Sequence, residues 1–338
     1  MICTPASATH SGRRCFKEHC MKLVFLDKKS LGENADLSAF EEFGELTAYE
    51  TTSSLEVYER VADADIILTN KVVIDESVMK AAPHLKYVGL SATGVNNVDV
   101  KYAGRNNIAV CNVKGYCTDS VAQHTFALLF MVMEQMGHHD RYIKTGMYST
   151  DNLYNWLDRP FMELSGKTWG IIGLGDIGRK VAAVAKAFGC NVIYYSTSGK
   201  NNDSEYERVD FDGLMSRSDI VSVHAPLNDC TRGLIDRDAL AKMKKTAYLI
   251  NVGRGPIVVE KDLAEALDGG LIAGAGLDVF EIEPMEPECP LLHIKNPDRL
   301  AVTPHIAWAS TEARRRVIDE MCLNIRSYSE GGRRNRVD

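Results

Sequence analysis

Trp169-Gly170-Ile171-Ile172-Gly173-Leu174-Gly175-Asp176-Ile177-Gly178 is the stretch whose reading decides the fold. A short apolar run, the form of a buried strand, passes directly into glycines spaced Gly-x-Gly-x-x-Gly. Val181, Ala182, Val184, Ala185 and Phe188 then mark one apolar side of a helix. Each glycine has a physical task. Gly173 permits a tight turn, Gly175 lets the backbone approach a pyrophosphate, and Gly178 lets the helix pack close to the strand. The phosphates would rest on Leu174, Asp176 and Ile177 at the helix N-terminus, where free N–H groups and the macrodipole favour anions. A Gly-x-Gly-x-x-Gly alone is weak, but a strand before it and a helix after it are the context the motif requires. The stretch predicts a Rossmann-like α/β domain that binds NAD(H) or NADP(H).

About twenty residues further on, an acidic residue is expected at the end of the next strand to bind the adenosine ribose. Ser196 stands there, in Tyr194-Tyr195-Ser196-Thr197-Ser198-Gly199-Lys200. A carboxylate would repel a 2′-phosphate, whereas hydroxyls and Lys200 would not. NADP is therefore allowed, although no arginine holds the obvious position, and hydroxyls replacing Asp as ribose partners remains an equal reading.

Outward from this stretch the chain alternates strands with helices, the pattern of a parallel sheet covered on both faces. On the C-terminal side, strands are expected at 168–172, 191–195, 220–224, 247–251, 274–278 and 300–303, with a closing helix over 310–328. On the N-terminal side they are expected at 22–26, 46–49, 66–69, 87–90 and 108–111, with helical stretches at 37–43 and 54–61. Between the two series lies one long helical run, 120–144. Its portion from Val121 to Met133 is apolar on nearly all sides and must be buried, as a dimer core or a bridge between domains. Residues 148–164, with Trp156, Pro160 and Phe161, form an aromatic excursion expected to pack on something, a second subunit among the choices.

The 338 residues exceed one comfortable core and suit two domains. A net charge of −7 gives no general attraction to nucleic acid or to an anionic membrane. The cluster Arg333, Arg334 and Arg336 reads as a solvated tail. Nine scattered cysteines without a Cys-x-x-Cys pair read as reduced thiols, with no metal site. No apolar run reaches a membrane span, and the cytoplasm is the expected compartment. Residues 1–20 lack the apolar core of a signal peptide. Met21 opens a strand, so 1–20 is read as a disordered extension and Met21 as the natural start.

Further segments complete a recognisable layout: Val223-His224-Ala225-Pro226-Leu227, Asn251-Val252-Gly253-Arg254-Gly255, Gly276-Leu277-Asp278-Val279-Phe280-Glu281-Ile282-Glu283-Pro284 and Thr303-Pro304-His305-Ile306-Ala307. With Gly173–Gly178 they resemble the D-isomer-specific 2-hydroxyacid dehydrogenase family in order and spacing, from about Met21 to the C-terminus. Ser196 is the clear departure. The resemblance implies two Rossmann-like, doubly wound parallel-sheet domains with a cleft between them. The substrate domain, flavodoxin-like, would comprise 21–118 plus 305–338, and the nucleotide domain 119–304.

The resemblance also implies roles. Arg254 would hold the substrate and stabilise charge developing on its carbonyl oxygen. His305 would be the general acid, with Glu283 fixing its tautomer and favouring its protonated form. Asp278 would touch the nicotinamide end of the cofactor. His224, Ala225 and Pro226 would line the adenine pocket, with Val252 and Gly253 also on the cofactor. Backbone N–H groups of the small-residue loop Ala92-Thr93-Gly94 would form a nest for the substrate carboxylate. Asn70 and Lys71 follow another strand and could face the same site, although a solvated Lys71 is an equal reading.

Thr303 to Ser310, with Thr69-Asn70-Lys71 and Tyr195 to Ser198, is similar to the glycerate dehydrogenase (hydroxypyruvate reductase) branch, where Trp308 would bound the pocket beside a small polar group. The expectation is reversible hydride transfer between NAD(P)H and a small 2-oxo acid, hydroxypyruvate or glyoxylate, by a homodimer. The alternatives are a broad D-lactate or branched 2-hydroxyacid dehydrogenase and a non-catalytic, nucleotide-sensing corepressor.

Overall fold

A computed structural model describes residues 20–150 and 154–338. The expectation for the N-terminal extension falls on residues 1–19, outside the described residues, and Cys20 is exposed. The chain forms two compact units, one from residues up to Tyr116 together with Thr311–Asp338, the other from Cys117–Ser310.

The first unit carries five parallel strands, β1 (Met21–Phe25), β2 (Gly44–Ala48), β3 (Ile66–Thr69), β4 (Tyr87–Leu90) and β5 (Ala109–Cys111), in the order β2-β1-β3-β4-β5. Leu23 stands between Leu46 and Ile66, and Ile66 pairs with Tyr87. Every residue of β3, β4 and β5 is buried, which is why these strands read as continuous apolar runs rather than alternating ones. The closing helix Thr311–Ser329 returns to this unit and packs Tyr328 against Tyr87, the rings tilted with centres 5.2 Å apart.

The C-terminal residues are not the solvated tail that their charge suggests. Arg336 bridges antiparallel to Cys111, the Val337 N–H donates to the Val110 carbonyl at 2.9 Å, and the Val110 N–H reaches Asp338 at 2.8 Å. Arg334 pairs with Glu320 and also donates to buried Asn324, whose own amide nitrogen donates to the Asn112 carbonyl at 2.9 Å. Specific partners, absent from any local pattern, take Arg334 and Arg336 out of the charge run, and Arg336 bridges to the edge strand β5.

The second unit carries seven parallel strands, β6 (Thr168–Ile172), β7 (Asn191–Tyr195), β8 (Glu207–Arg208), β9 (Ile220–Val223), β10 (Tyr248–Asn251), β11 (Gly274–Leu277) and β12 (Leu300–Val302). Their order, β12-β11-β10-β9-β6-β7-β8, reverses direction between β6 and β9. In such sheets ligands bind outside the carboxyl ends of the strands at that reversal. All the strands being parallel, the segments after β6, β9, β10, β11 and β12 emerge along one edge.

The long helical run is two helices, Thr118–Met133 and Met136–Lys144, broken where Gln135 takes a left-handed φ of 55°. Most of the apolar girth of 121–133 is satisfied inside its own unit, with Met131 left exposed. Val121, Phe126, Leu128, Leu129 and Val132 are buried, and Phe126 meets the wholly buried Trp169 with ring centres 4.8 Å apart. Strand β11 reads Gly-Ala-Gly-Leu because the helix lies directly on it. A Cβ on Gly276 would fall 2.9 Å from the Leu128 Cβ, and one on Gly274 would fall 2.8 Å from Val132. The aromatic excursion packs partly on the same unit, Trp156 stacking on Tyr142 and His138 at 5.0 and 5.2 Å, while its residues 151–153 lie outside the described residues.

Asn324→Ala removes the acceptor for Arg334 and Asn335 and strands the Asn112 carbonyl. We expect a loss of about 1–3 kcal/mol in urea denaturation, the range for unpairing buried polar groups. Parental stability would mean that the C-terminal residues dock without this asparagine.

Candidate active site

The glycine turn has the geometry its sequence requires. Gly173 takes φ +93°, and a Cβ there would strike the Ala225 backbone at 2.9 Å, so the turns after β6 and β9 touch. A Cβ on Gly178 would meet the Gly173 carbonyl oxygen at 2.3 Å, so the helix Asp176–Ala187 is seated against the turn. A Cβ on Gly175 would meet no other part of the protein within 4 Å, and Gly175 is the residue directly before the first helical position, Asp176. This is the shape that a dinucleotide pyrophosphate needs. Leu174 is buried, and its carbonyl is held by the Asn201 amide at 3.1 Å. Asp176 is exposed and Ile177 half-buried at the start of the helix.

Ser196 is only 5 % exposed, and its hydroxyl accepts the Asn201 N–H at 3.4 Å. The polar groups displayed beyond it are Thr197, Ser198 and Lys200, and the carboxylate of the segment, Asp203, is engaged by Arg179.

His224 directly follows β9 and opens the turn that touches Gly173. Burial pushes its imidazole pKa down to about 3, which favours the neutral ring. The Trp169 indole can only donate, and it donates to the Ser222 hydroxyl at 2.8 Å. The Ser222 hydrogen is then available to the His224 Nε2, 3.0 Å away, which leaves the ring proton on Nδ1, a buried atom without a partner in the structure. An orphaned donor beside the glycine turn fits a site completed by a polar ligand. Ala225 is buried and Pro226 exposed.

Arg254, Glu283 and His305 follow the neighbouring strands β10, β11 and β12. Asn251, 1 % exposed, shapes the first loop by accepting the Gly253 N–H at 3.0 Å and donating to the Arg254 carbonyl at 3.0 Å. Gly253 faces the Ala225 carbonyl, where a Cβ would come within 3.2 Å, and Val252 is buried. Gly255 presses on Phe280 so closely that a Cβ would fall 1.9 Å from its carbonyl carbon. The loop of Arg254 therefore abuts the loop of Glu283. Buried Glu260 holds the latter from behind, accepting the Glu281 N–H at 2.7 Å. Glu283 accepts the Phe280 N–H through Oε1 at 3.0 Å and turns Oε2 to the His305 Nδ1 at 2.6 Å. A carboxylate only accepts, so Nδ1 carries a proton and Nε2 is the nitrogen left for chemistry.

Asp278 is 1 % exposed, and its carboxylate is committed within the protein to Thr303, Ile306 and Ala307. Trp308 is half-buried and packs against the core of the unit. In the first unit, Asp27 accepts the N–H groups of Asn70 and Lys71 at 2.9 and 2.7 Å, and burial pushes its carboxyl pKa up despite those bonds. Asn70 is buried and the Lys71 side chain exposed. The Ala92-Thr93-Gly94 loop is fixed to the end of β5: Val113 N–H donates to the Ala92 carbonyl at 3.0 Å and the Thr93 hydroxyl donates to the Val113 carbonyl at 2.8 Å. Sequence reading missed Asn251, Glu260 and Asp27 as organisers. Buried polar residues at or next to strand and loop ends are the signal that points to them.

Residues 126–307 match the family model described as D-isomer specific 2-hydroxyacid dehydrogenase, NAD binding domain. The chain is 39 % identical over 282 residues to a hydroxypyruvate reductase of Blautia hydrogenotrophica, covering 82 % of this chain and 86 % of that one. Among solved structures it resembles an acyclic imino acid reductase in complex with NADPH and D-Arg, at TM-score 0.84 and 31 % identity over 94 % of this chain and all of the other. It also resembles a D-lactate dehydrogenase from Aquifex aeolicus complexed with NAD and lactic acid, at TM-score 0.78 and 26 % identity, covering 92 % of this chain and 96 % of the other.

Two alanine substitutions separate fold from binding. Gly178→Ala forces a methyl against a backbone carbonyl, and we expect a loss of about 1–3 kcal/mol of stability. Gly175→Ala meets no protein atom within 4 Å. We expect its Tm to be unchanged while the Kd for NADH, read by fluorescence titration, rises about tenfold or more, roughly 1.4 kcal/mol. Parental affinity in Gly175→Ala would contradict a pyrophosphate at this turn.

Proposed function

The chain belongs to the D-isomer-specific 2-hydroxyacid dehydrogenases, and from that premise we propose that it reduces hydroxypyruvate to D-glycerate and, as a second substrate, glyoxylate to glycolate, with Arg254, Glu283 and His305 as the catalytic set. The observation that carries this reading is the His305–Glu283 hydrogen bond of 2.6 Å, formed at the carboxyl edge of the nucleotide-binding sheet where the loop of Arg254 abuts that of Glu283. The reduced nicotinamide, when bound, supplies the hydride. The Arg254 guanidinium binds the 2-oxo acid through directional hydrogen bonds and stabilises the negative charge that grows on the carbonyl oxygen. His305 gives that oxygen a proton from Nε2 and takes it back in the reverse direction. Glu283 keeps Nδ1 protonated and the ring fixed, so Nε2 alone exchanges the proton.

The same set argues against a pure binding module, which has no use for a buttressed proton donor. The choice of hydroxypyruvate rests on the similarity to a hydroxypyruvate reductase, and on Trp308, read as limiting the pocket to a small polar side chain. The polar segment beyond Ser196, with Asp203 paired to Arg179, sets no unpaired carboxylate at Ser196 against a 2′-phosphate and offers hydroxyls to a ribose. NADPH and NADH are therefore both assigned as cofactors. Cys111, Cys190, Cys289 and Cys322 are buried free thiols, which supports the cytoplasm. No described helix is long and apolar enough to cross a membrane. A homodimer is supported by the apolar side chains exposed on the second unit, Met131, Met136, Ile143, Tyr154, Leu157 and Phe161.

The test is loss of 340 nm absorbance with a panel of 2-oxo acids, each with NADH and with NADPH. Hydroxypyruvate should give the highest kcat/KM. Higher values for pyruvate or branched 2-oxo acids would move the assignment to a lactate-like enzyme, and no turnover of any acid would favour the binding module. His305→Ala should lower kcat by about 10²-fold or more, while Arg254→Ala should raise KM and lower kcat together. An unchanged kcat in His305→Ala would remove the proton donor.

A further inference from the structure

His305 has a left-handed backbone, φ 55°, which a side chain other than glycine adopts only under constraint. The constraint is visible. The His305 N–H donates to the Asp278 carbonyl at 2.8 Å, the Ile306 N–H to one Asp278 carboxylate oxygen at 2.8 Å, and the Ala307 N–H to the other at 2.8 Å. Successive N–H groups thus converge on one buried aspartate, and the turn they form presents the imidazole.

The carboxylate that holds the turn is itself held. The Thr303 hydroxyl donates to Asp278 Oδ1 at 2.6 Å, and His124 Nε2 lies 2.8 Å from that hydroxyl. The single Thr303 hydrogen points to the carboxylate, so the hydroxyl oxygen must accept, and His124 must carry its proton on Nε2. His124 Nε2 also lies 3.6 Å from Asp278 Oδ1. One turn earlier on the same helix face, the Ser120 hydroxyl donates to the Ala307 carbonyl at 2.6 Å and accepts the Ser310 N–H at 3.3 Å. The helix Thr118–Met133, immobilised by its apolar face against the sheet, therefore grips residues 303–310 with two side chains spaced four apart.

We propose that His124 is a positioning residue for the proton donor: its Nε2–H, relayed by the Thr303 hydroxyl, fixes the Asp278 carboxylate that holds the His305 turn. This deepens the dehydrogenase reading and rests on it for the identity of the donor. His124 does not touch the reacting atoms in this account. Its loss lets the turn relax toward an ordinary φ and moves Nε2 of His305, and displacements of that kind away from the reacting atoms cost up to about a hundredfold in rate. Substrate binding through Arg254 is left alone.

The experiment uses the full chain carrying His124→Ala, Thr303→Val or His124→Gln, the last restoring an N–H donor without the ring. Hydrogen exchange of the peptide containing Ile306 and Ala307 is read in the nucleotide-free protein, and kcat and KM are read with hydroxypyruvate. We expect at least tenfold faster exchange at Ile306 and Ala307 and about a tenfold lower kcat in His124→Ala and Thr303→Val, with KM and NADH affinity within twofold of the parent. His124→Gln should recover most of both losses. Protected amides with parental kcat in Thr303→Val, which conserves volume and decides the matter even if His124→Ala misfolds, would overturn the proposal. So would a raised KM with unchanged kcat. If the parent turns over no 2-oxo acid, the dehydrogenase reading has failed, while the exchange arm still judges the role of His124.

Discussion

The buried carboxylate of Asp278 is the constraint on which the proposed catalytic edge depends. It sits directly after β11, with 1 % of its surface exposed, and both oxygens are hydrogen-bonded. A buried carboxylate is costly without such partners. Here the partners are the backbone of the segment after β12 and the threonine that begins it. Neither half is stable alone: the ion needs the N–H groups, and the left-handed His305 needs an anchor, since strain of this sort costs about 1–3 kcal/mol. The two costs offset each other in one local arrangement.

What this anchor holds is placed there by topology. Parallel strands send every following loop to the same edge, so residues far apart in sequence, Gly173 after β6, His224 after β9, Arg254 after β10, Glu283 after β11 and His305 after β12, become neighbours of one sheet edge without any local sequence relation. Close backbone approach does the finer work. Gly255 against Phe280 and Gly173 against Ala225 bring successive loops into contact where a methyl group would not fit. The nucleotide turn and the proposed proton donor are thus fixed by the same physical means, small residues for closeness and buried polar groups for orientation.

Local signals were readable before any coordinates. The strand–turn–helix at Gly173–Gly178, the alternation of strands and helices in both units, and the segments carrying Arg254, Glu283 and His305 all have patterns within about ten residues. The break at Gln135 had a weaker mark, the polar Glu134-Gln135 pair interrupting an apolar helix without glycine at the turn itself. The docking of Arg334 and Arg336 had none, because it depends on Asn324 and Asp338 meeting β5. The marks of His124, Asn251 and Glu260 were weak, a polar residue within or at the end of an element. Their importance comes from partners 179, 3 and 21 residues away, two of them far outside any local window. Burial of a polar side chain is a tertiary fact, and a sequence shows only that the residue is polar. The 121–133 helix, expected to be buried as a dimer core or a bridge between domains, packs most of its apolar face against its own unit and leaves Met131 exposed.

The central claim is that Arg254 and His305 address the same atom of a 2-oxo acid while Glu283 and the Asp278 anchor hold the imidazole. A crystal structure of the protein with NADH and oxamate, an unreactive analogue of a 2-oxo acid, tests it most directly. The account predicts the oxamate carbonyl oxygen within hydrogen-bonding distance, about 3 Å, of both the Arg254 guanidinium and the His305 Nε2, with the pyrophosphate on the Gly173–Gly178 turn. Oxamate bound away from both side chains, or a dinucleotide seated elsewhere, would contradict it.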